Sequence, residues 1–583
     1  MATRTLDRQL SELEAARYRF GRGDDIHVHV LKLLTALDAA RFTDSASLIR
    51  FHEALMFVRA FPQSAAVLRA AERILNNFHT KVEALVEAGA DMDAFDTFEV
   101  GGIAGTTMED TLSFDVARWL VRRMPGAVEI AWENYEPGRE LGTTGPRLMP
   151  LLEDDAFVEA DTPWRQWLEA AAGADGKHSR DRAATADWLI GRFERLALPE
   201  REKAELYESL RIPLRWKLGN ARLSRTRNWS AARKVFYHEG PLMSRSEVSL
   251  GEELAKRPPT FERLSLREGE RIADFIREVM LVRYRELYGT TLADPRSVVR
   301  ADVGRGVAIY LWNLPRERRL PLRAYVAGFT LKNGVPINYI EAIGICEWME
   351  VGFNTFYTFR GGEAGWIYAQ VLRCLCSWMG TTVVSVYPYQ LGHDNEEAIE
   401  SGAFWFYRKL GFRPGRADLL KLVESEEKKI AADRRYRTSA RTLRRLAAGH
   451  VFYELPGAEV GAWDKFSTRN IGLHVNRRMA REFGGDAETM RAHVRRELER
   501  GLGARIEGGG NSGRSWSEME RKAFDNFALA LGARDVQGWP EEDKSRLVRI
   551  IRAKAGADEM LYLHLTQRHA QLREAVLQAG RGR

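Results

Sequence analysis

The sequence predicts a mixed α/β (α+β) protein, with a mixed central sheet flanked by mainly helical N- and C-terminal regions. Three observations predict it. Before residue 235, apolar residues recur at helical spacing. Between 306 and 359 they alternate or run in β-branched stretches bounded by turn signals. Beyond Arg413 a helical, arginine-rich pattern returns. The domains expected are 1–240, 260–415 and 416–583.

Taken in order, Leu48, Phe51, Leu55 and Val58 mark a helix after the start signal Thr43-Asp44-Ser45. Val67, Leu68, Ala71, Ile74, Leu75 and Phe78 mark the next, after the break at Phe61-Pro62-Gln63. Gly101-Gly102-Ile103-Ala104-Gly105 reads as a flexible turn, lacking the Lys and the spacing of a phosphate loop. An exposed loop is expected over 172–182. Lys256-Arg257-Pro258-Pro259 is a boundary. After it come a short strand at Phe261–Ser265 and a helix carrying Ile272, Phe275, Ile276 and Val279. Strand-like runs follow at Gly306–Leu314, Ala324–Leu331, Val335–Ile345 and Glu350–Phe359, with Lys332-Asn333-Gly334 as a hairpin turn. A glycine-rich turn at Arg360–Gly365 opens a helix, Trp366–Met379, whose polar residues fall on one narrow stripe, so it should be buried. Thr381–Tyr389 reads as a strand and Glu396–Leu410 as a helix ended by Gly411. Gly508–Gly513 reads as a linker.

Composition excludes several classes. The 583 residues are 45% hydrophobic and 29% charged, an ordinary globular balance that opposes wholesale disorder. Mean hydropathy is −0.36 and no run approaches a membrane span. The N-terminus has no apolar leader region. Three cysteines cannot build a disulfide framework, and Cys374 and Cys376 read as small apolar residues of a buried helix. No Cys/His cluster has metal spacing, and His27 and His29 lack partners for one. A cytoplasmic, multidomain protein without metal or membrane partner is therefore expected.

The net charge of +7 is uneven. From Arg413 onward there are 34 basic and 24 acidic residues; before it, 54 and 57. Arg434–Arg445 holds six arginines. Arg211–Tyr237 holds eight basic residues and no acidic one, interleaved with Trp216, Trp229, Phe236 and Tyr237. Cations with stacking aromatics suit RNA or another polyanion; a solvated basic face anchored by its aromatics is the alternative.

The segment 260–413 resembles the GNAT (Gcn5-related N-acetyltransferase) family. Two motifs carry the resemblance: Ala403-Phe404-Trp405-Phe406-Tyr407-Arg408-Lys409-Leu410-Gly411-Phe412, similar to the family's closing helix-to-strand signature, and Arg360-Gly361-Gly362-Glu363-Ala364-Gly365, similar to its pyrophosphate turn. The resemblance implies an N-acyltransferase using acetyl-CoA or another acyl-CoA as cosubstrate, with an unidentified amine as acceptor. It assigns the cosubstrate to Arg360, Gly361, Gly362, Ala364, Gly365 and Trp366, with the strand near Phe356 and Thr358 holding the thioester carbonyl. It gives Tyr407 the role of acid and Glu347 or Glu350 that of base. Glu341, in the apolar run Tyr339–Ile345, is a further candidate base, because desolvation raises a carboxyl's pKa. Glu363 departs from the pattern: a carboxylate replaces a glycine where a diphosphate would lie. Two other functions fit the same residues, a non-catalytic RNA- or polyanion-binding protein on this scaffold, and an aminoacyl-tRNA-dependent transferase.

Overall fold

The hairpin signal at Lys332-Asn333-Gly334 acts as its residue types require. Asn333 and Gly334 both take positive φ, 50° and 84°, the geometry that a tight two-residue turn needs. The computed structural model describes all residues except 1, 22–23, 137, 160–163, 175–178, 221, 504–514, 532–535 and 582–583. The linker expected at Gly508–Gly513 and the middle of the loop expected at 172–182 lie outside the described residues.

Among the described residues twelve strands build two sheets. Strands β1 (Thr107–Thr111), β2 (Val128–Ile130) and β3 (Pro213–Lys217) form a small antiparallel sheet in the order β1-β3-β2. The large sheet contains β4 (Phe261–Arg263), β5 (Val299–Gly304), β6 (Val307–Asn313), β7 (Ala324–Lys332), β8 (Val335–Ile345), β9 (Trp348–Thr355), β10 (Val383–Val386), β11 (Arg413–Pro414) and β12 (Val451–Glu454). Its order is β11-β12-β10-β9-β8-β7-β6-β5-β4. Every neighbouring pair is antiparallel except β9 and β10, which are parallel and joined by the helix Ala364–Met379. A parallel pair needs such a crossover, whereas the antiparallel pairs β7–β8 and β8–β9 are joined by tight turns.

The central region is thus a mixed α/β sheet flanked by helices. Several elements differ from the sequence reading. Tyr357–Phe359 leaves the strand as a 3-10 turn, and Pro388–Leu391 is helical, since proline sets φ for a first helical turn and removes a ladder donor. The helix expected over Glu396–Leu410 breaks at Gly402, φ 66°. The C-terminal region is not helical throughout: β12 inserts between β10 and β11 and completes the sheet. Four residues are too few to display a period of two.

Two hydrophobic cores divide the first 240 residues. One lies between the small sheet and the helices packed on it, around Trp216, Phe114, Phe193 and Tyr207. Helices in residues 2–87 instead share the core of the large sheet. The helix Ser45–Ala60 is buried along most of its length, Phe57 and Phe61 completely. Each such ring contributes about 1.5–3 kcal/mol through burial. Gly101 to Gly105 is a packed turn and not a flexible one: a side chain at Gly102, φ 85°, would strike the carbonyl of Val282.

Candidate active site

Strands β9 and β10 part company early. They pair at Trp348↔Val383, Met349↔Val384 and Glu350↔Ser385, and no further. Strand β9 continues to Thr355 with β8 alone beside it. On the helix side of β9 beyond Glu350 a cluster of rings packs together. Phe353 meets Tyr368 at 4.9 Å, Tyr368 meets Tyr407 at 5.6 Å, and Tyr407 meets Phe412 at 5.7 Å. Tyr407 is 4% exposed, and burial pushes its phenol well above the usual range. It therefore sits inside this cluster and is not presented to an open surface.

The glycine turn is also packed. A side chain at Gly361 would overlap the Tyr18 hydroxyl, one at Gly362 would lie 2.6 Å from the Phe61 ring, and one at Gly365 would lie 3.0 Å from Arg245. These glycines admit the chain's own side chains, which gives them a reason independent of any phosphate. Gly361 keeps an exposed side and Ala364 is half-buried, while Trp366 is buried with Arg305 5.8 Å from its ring. Arg360 pairs with Glu397. Phe356 packs against Phe329 and Tyr339, and the Thr358 hydroxyl is held by Arg225 and Glu53.

Glu363 is the key to this turn. It is fully buried, pairs with Arg305, lies 3.6 Å from Lys332 and accepts the N–H of Met243 at 3.1 Å. Burial alone would raise its carboxyl, but the bond from Arg305 and the charge of Lys332 outweigh that and hold it below the usual range. Lys332 is equally buried; desolvation lowers its ammonium to about 7, partly opposed by Glu363. A negative charge thus already stands before the helix that begins at Ala364, where an anion would otherwise be favoured.

The opposite face of β9 is different. Phe353 points to the helix Ala364–Met379, so Glu350, Gly352 and Asn354 point the other way. Cross-strand register puts Glu341 opposite Gly352 on one side and opposite Ala327 on the other. Gly352 leaves room on its side, since a side chain there would meet nothing nearer than 3.9 Å, whereas Gly289 packs over Ala327. The Tyr325 hydroxyl donates to Glu341, and desolvation raises the carboxyl's pKa against that bond. Glu350 lies diagonally across, about 7–8 Å away by strand geometry. It meets His450 Nε2 at 3.0 Å. Tyr339, one step further along, accepts from Arg285 at 3.0 Å and from Asn354 at 2.9 Å.

The structure therefore brings Glu341 and Glu350 onto one face and leaves the others elsewhere. Glu347 is a clamp at the far end of β9, bonded to Arg573 at 2.6 Å and Trp463 at 2.7 Å. Sequence reasoning missed Arg283 and Arg285, which flank the C-terminal end of β9. Their signal, two arginines in the run Leu281-Val282-Arg283-Tyr284-Arg285, is a common surface pattern.

The basic segment Arg211–Tyr237 splits in two. Arg215 pairs with Glu109 at 2.6 Å and Trp216 is core. Residues 227–236 instead line a cavity of about 860 Å³ against the helix Leu266–Leu281 and β5–β6. Arg300 and Asn228 are buried at its wall, with both amide atoms of Asn228 unpaired. In Arg434–Arg445 all six arginines are exposed, and Arg444 pairs with Glu396. No helix among the described residues is long and apolar enough to cross a membrane, and no group of side chains there could hold a metal. No family model, no curated protein and no solved structure matches the chain.

Proposed function

We propose that the protein acylates an amine on the open face of β8 and β9, on a GNAT-type scaffold, taking the acyl group from a polyanionic carrier such as an aminoacyl-tRNA. Glu341 carries the reading: a carboxyl of raised pKa, half-buried opposite Gly352, beside the parting of two parallel strands. A base tuned upward by desolvation accepts a proton from an ammonium near neutral pH. The freed amine attacks the ester carbonyl, a C–N bond forms, the C–O bond to the carrier breaks, and the leaving oxygen takes up a proton. Acetyl-CoA is disfavoured as donor because Glu363, Tyr18, Phe61 and Arg245 occupy the turn that would grip its pyrophosphate. The exposed arginines of Arg434–Arg445 and the basic wall of the cavity favour a nucleic-acid carrier.

The test is single-turnover transfer from labelled aminoacyl-tRNA to glycinamide. Glu341→Gln should lower the rate about 10²–10⁴-fold, and Glu341→Asp should lose less. Equal rates for wild type and Glu341→Gln sink the catalytic reading. The second reading, a non-catalytic RNA-binding protein, is favoured by the burial of Tyr407 and Thr358. It predicts salt-dependent RNA binding without transfer.

A further inference from the structure

Three guanidinium groups meet beside the C-terminal end of β9, and two of them have no carboxylate among the described residues within ion-pair distance. Arg283 follows the helix Leu266–Leu281 and is 4% exposed. One of its nitrogens donates to the Val279 carbonyl at 2.8 Å, while Nε has no partner. Its flat side rests 4.3 Å from the centre of the Phe356 ring. Arg285 stacks 3.7 Å from the Phe98 ring and donates to the Tyr339 hydroxyl, an uncharged acceptor. Arg225 is 2% exposed and uses the one buried carboxylate nearby, Glu53, at 2.8 Å. Arg360 closes the rim, paired with Glu397. Glu99 reaches Arg225 through its main-chain oxygen, and its side chain is at the exposed edge. These groups line one small pocket together.

A buried cation without a partner is among the costlier features a fold can hold. Arg283 is lowered well below the ordinary arginine range by burial and by the like charge of Arg225 and Arg285, against which the carboxylate of Glu53, paired with Arg225, acts only in part. Among the described residues neither Arg283 nor Arg285 has a carboxylate within ion-pair distance. A dianion matches two uncompensated guanidinium groups, and planar N–H forks suit phosphate oxygens. A monocarboxylate would neutralise only one. Phe98 and Tyr357 at the rim are 46% and 56% exposed, which leaves apolar surface for an organic substituent.

We propose that Arg225, Arg283 and Arg285 form a binding site for a phosphoryl dianion, free or as a monoester, with Arg360 at its mouth. The inference does not rest on acyl transfer. It is tested by calorimetry with inorganic phosphate, AMP and acetate at constant ionic strength made up with sodium chloride. Wild type should bind phosphate saturably at one site, at least tenfold more tightly than acetate. Arg283→Met and Arg285→Gln should each weaken it tenfold or more, whereas Glu341→Gln should bind unchanged. AMP binding more tightly than phosphate assigns the site to an ester; equal affinity assigns it to the free ion, and either upholds a phosphoryl site. Phosphate heats no different from chloride, or unaltered by the arginine substitutions, overturn the proposal. Should Arg283→Met fail to fold, the half-buried Arg285→Gln decides alone.

Discussion

Glu363 and Lys332 show how a residue's neighbours set its role. From its motif position, Glu363→Gly restores a phosphate-binding pattern. In the fold it would instead leave Arg305 and Lys332 without their shared counter-ion. Removing one partner of a buried pair costs about 3–5 kcal/mol, so thermal unfolding of Glu363→Gly should shift down accordingly, with no gain in acetyl-CoA affinity. Lys332 gives a pH signature. Its folded pKa is lowered to about 7 from an ordinary 10.5, so between these values the unfolded chain binds more protons than the folded one. Stability therefore rises with pH from about 7 toward 10.5. Lys332→Met should flatten that rise, as measured by urea unfolding at several pH values. An identical slope in both proteins would contradict the assignment.

At the scale of elements, the glycine turn and the helix Ser45–Ala60 form one packed unit. Gly362→Ala drives a methyl group into the Phe61 ring and should cost about 1–3 kcal/mol. Combining it with Phe61→Leu should recover part of the loss, since the two sites touch and couple. Additive losses in thermal unfolding would show that the turn does not pack as described. Local patterns revealed much of this region. The turn at Asn333-Gly334, the buried helix expected over Trp366–Met379 and the central strands were all readable from residue type and period. Strand β12 was not, because Val451–Glu454 is too short for alternation. Nor was the filling of the turn, because Tyr18, Phe61, Arg245 and Arg305 reach it from distant parts of the chain. The site was legible only in part: Glu341 stood out as a carboxylate in an apolar run, but the room beside it depends on Gly352 in the neighbouring strand.

For the whole molecule, the charge and the length acquire locations. The basic charge that composition gives as one number is partly neutralised in ion pairs, buried Arg225 with Glu53 and half-buried Arg413 with Glu454 and Asp464. The remainder faces outward at Arg434–Arg445 and around the large cavity. The first hundred residues, which show no chemistry in sequence, cover the glycine turn and so bear on which donor can be used. The most direct measurement of this account compares two donors with one acceptor: single-turnover transfer to glycinamide from aminoacyl-tRNA and from acetyl-CoA at equal concentration. Transfer from aminoacyl-tRNA that depends on Glu341, with none from acetyl-CoA, is the result predicted. Transfer from acetyl-CoA with none from aminoacyl-tRNA would contradict it.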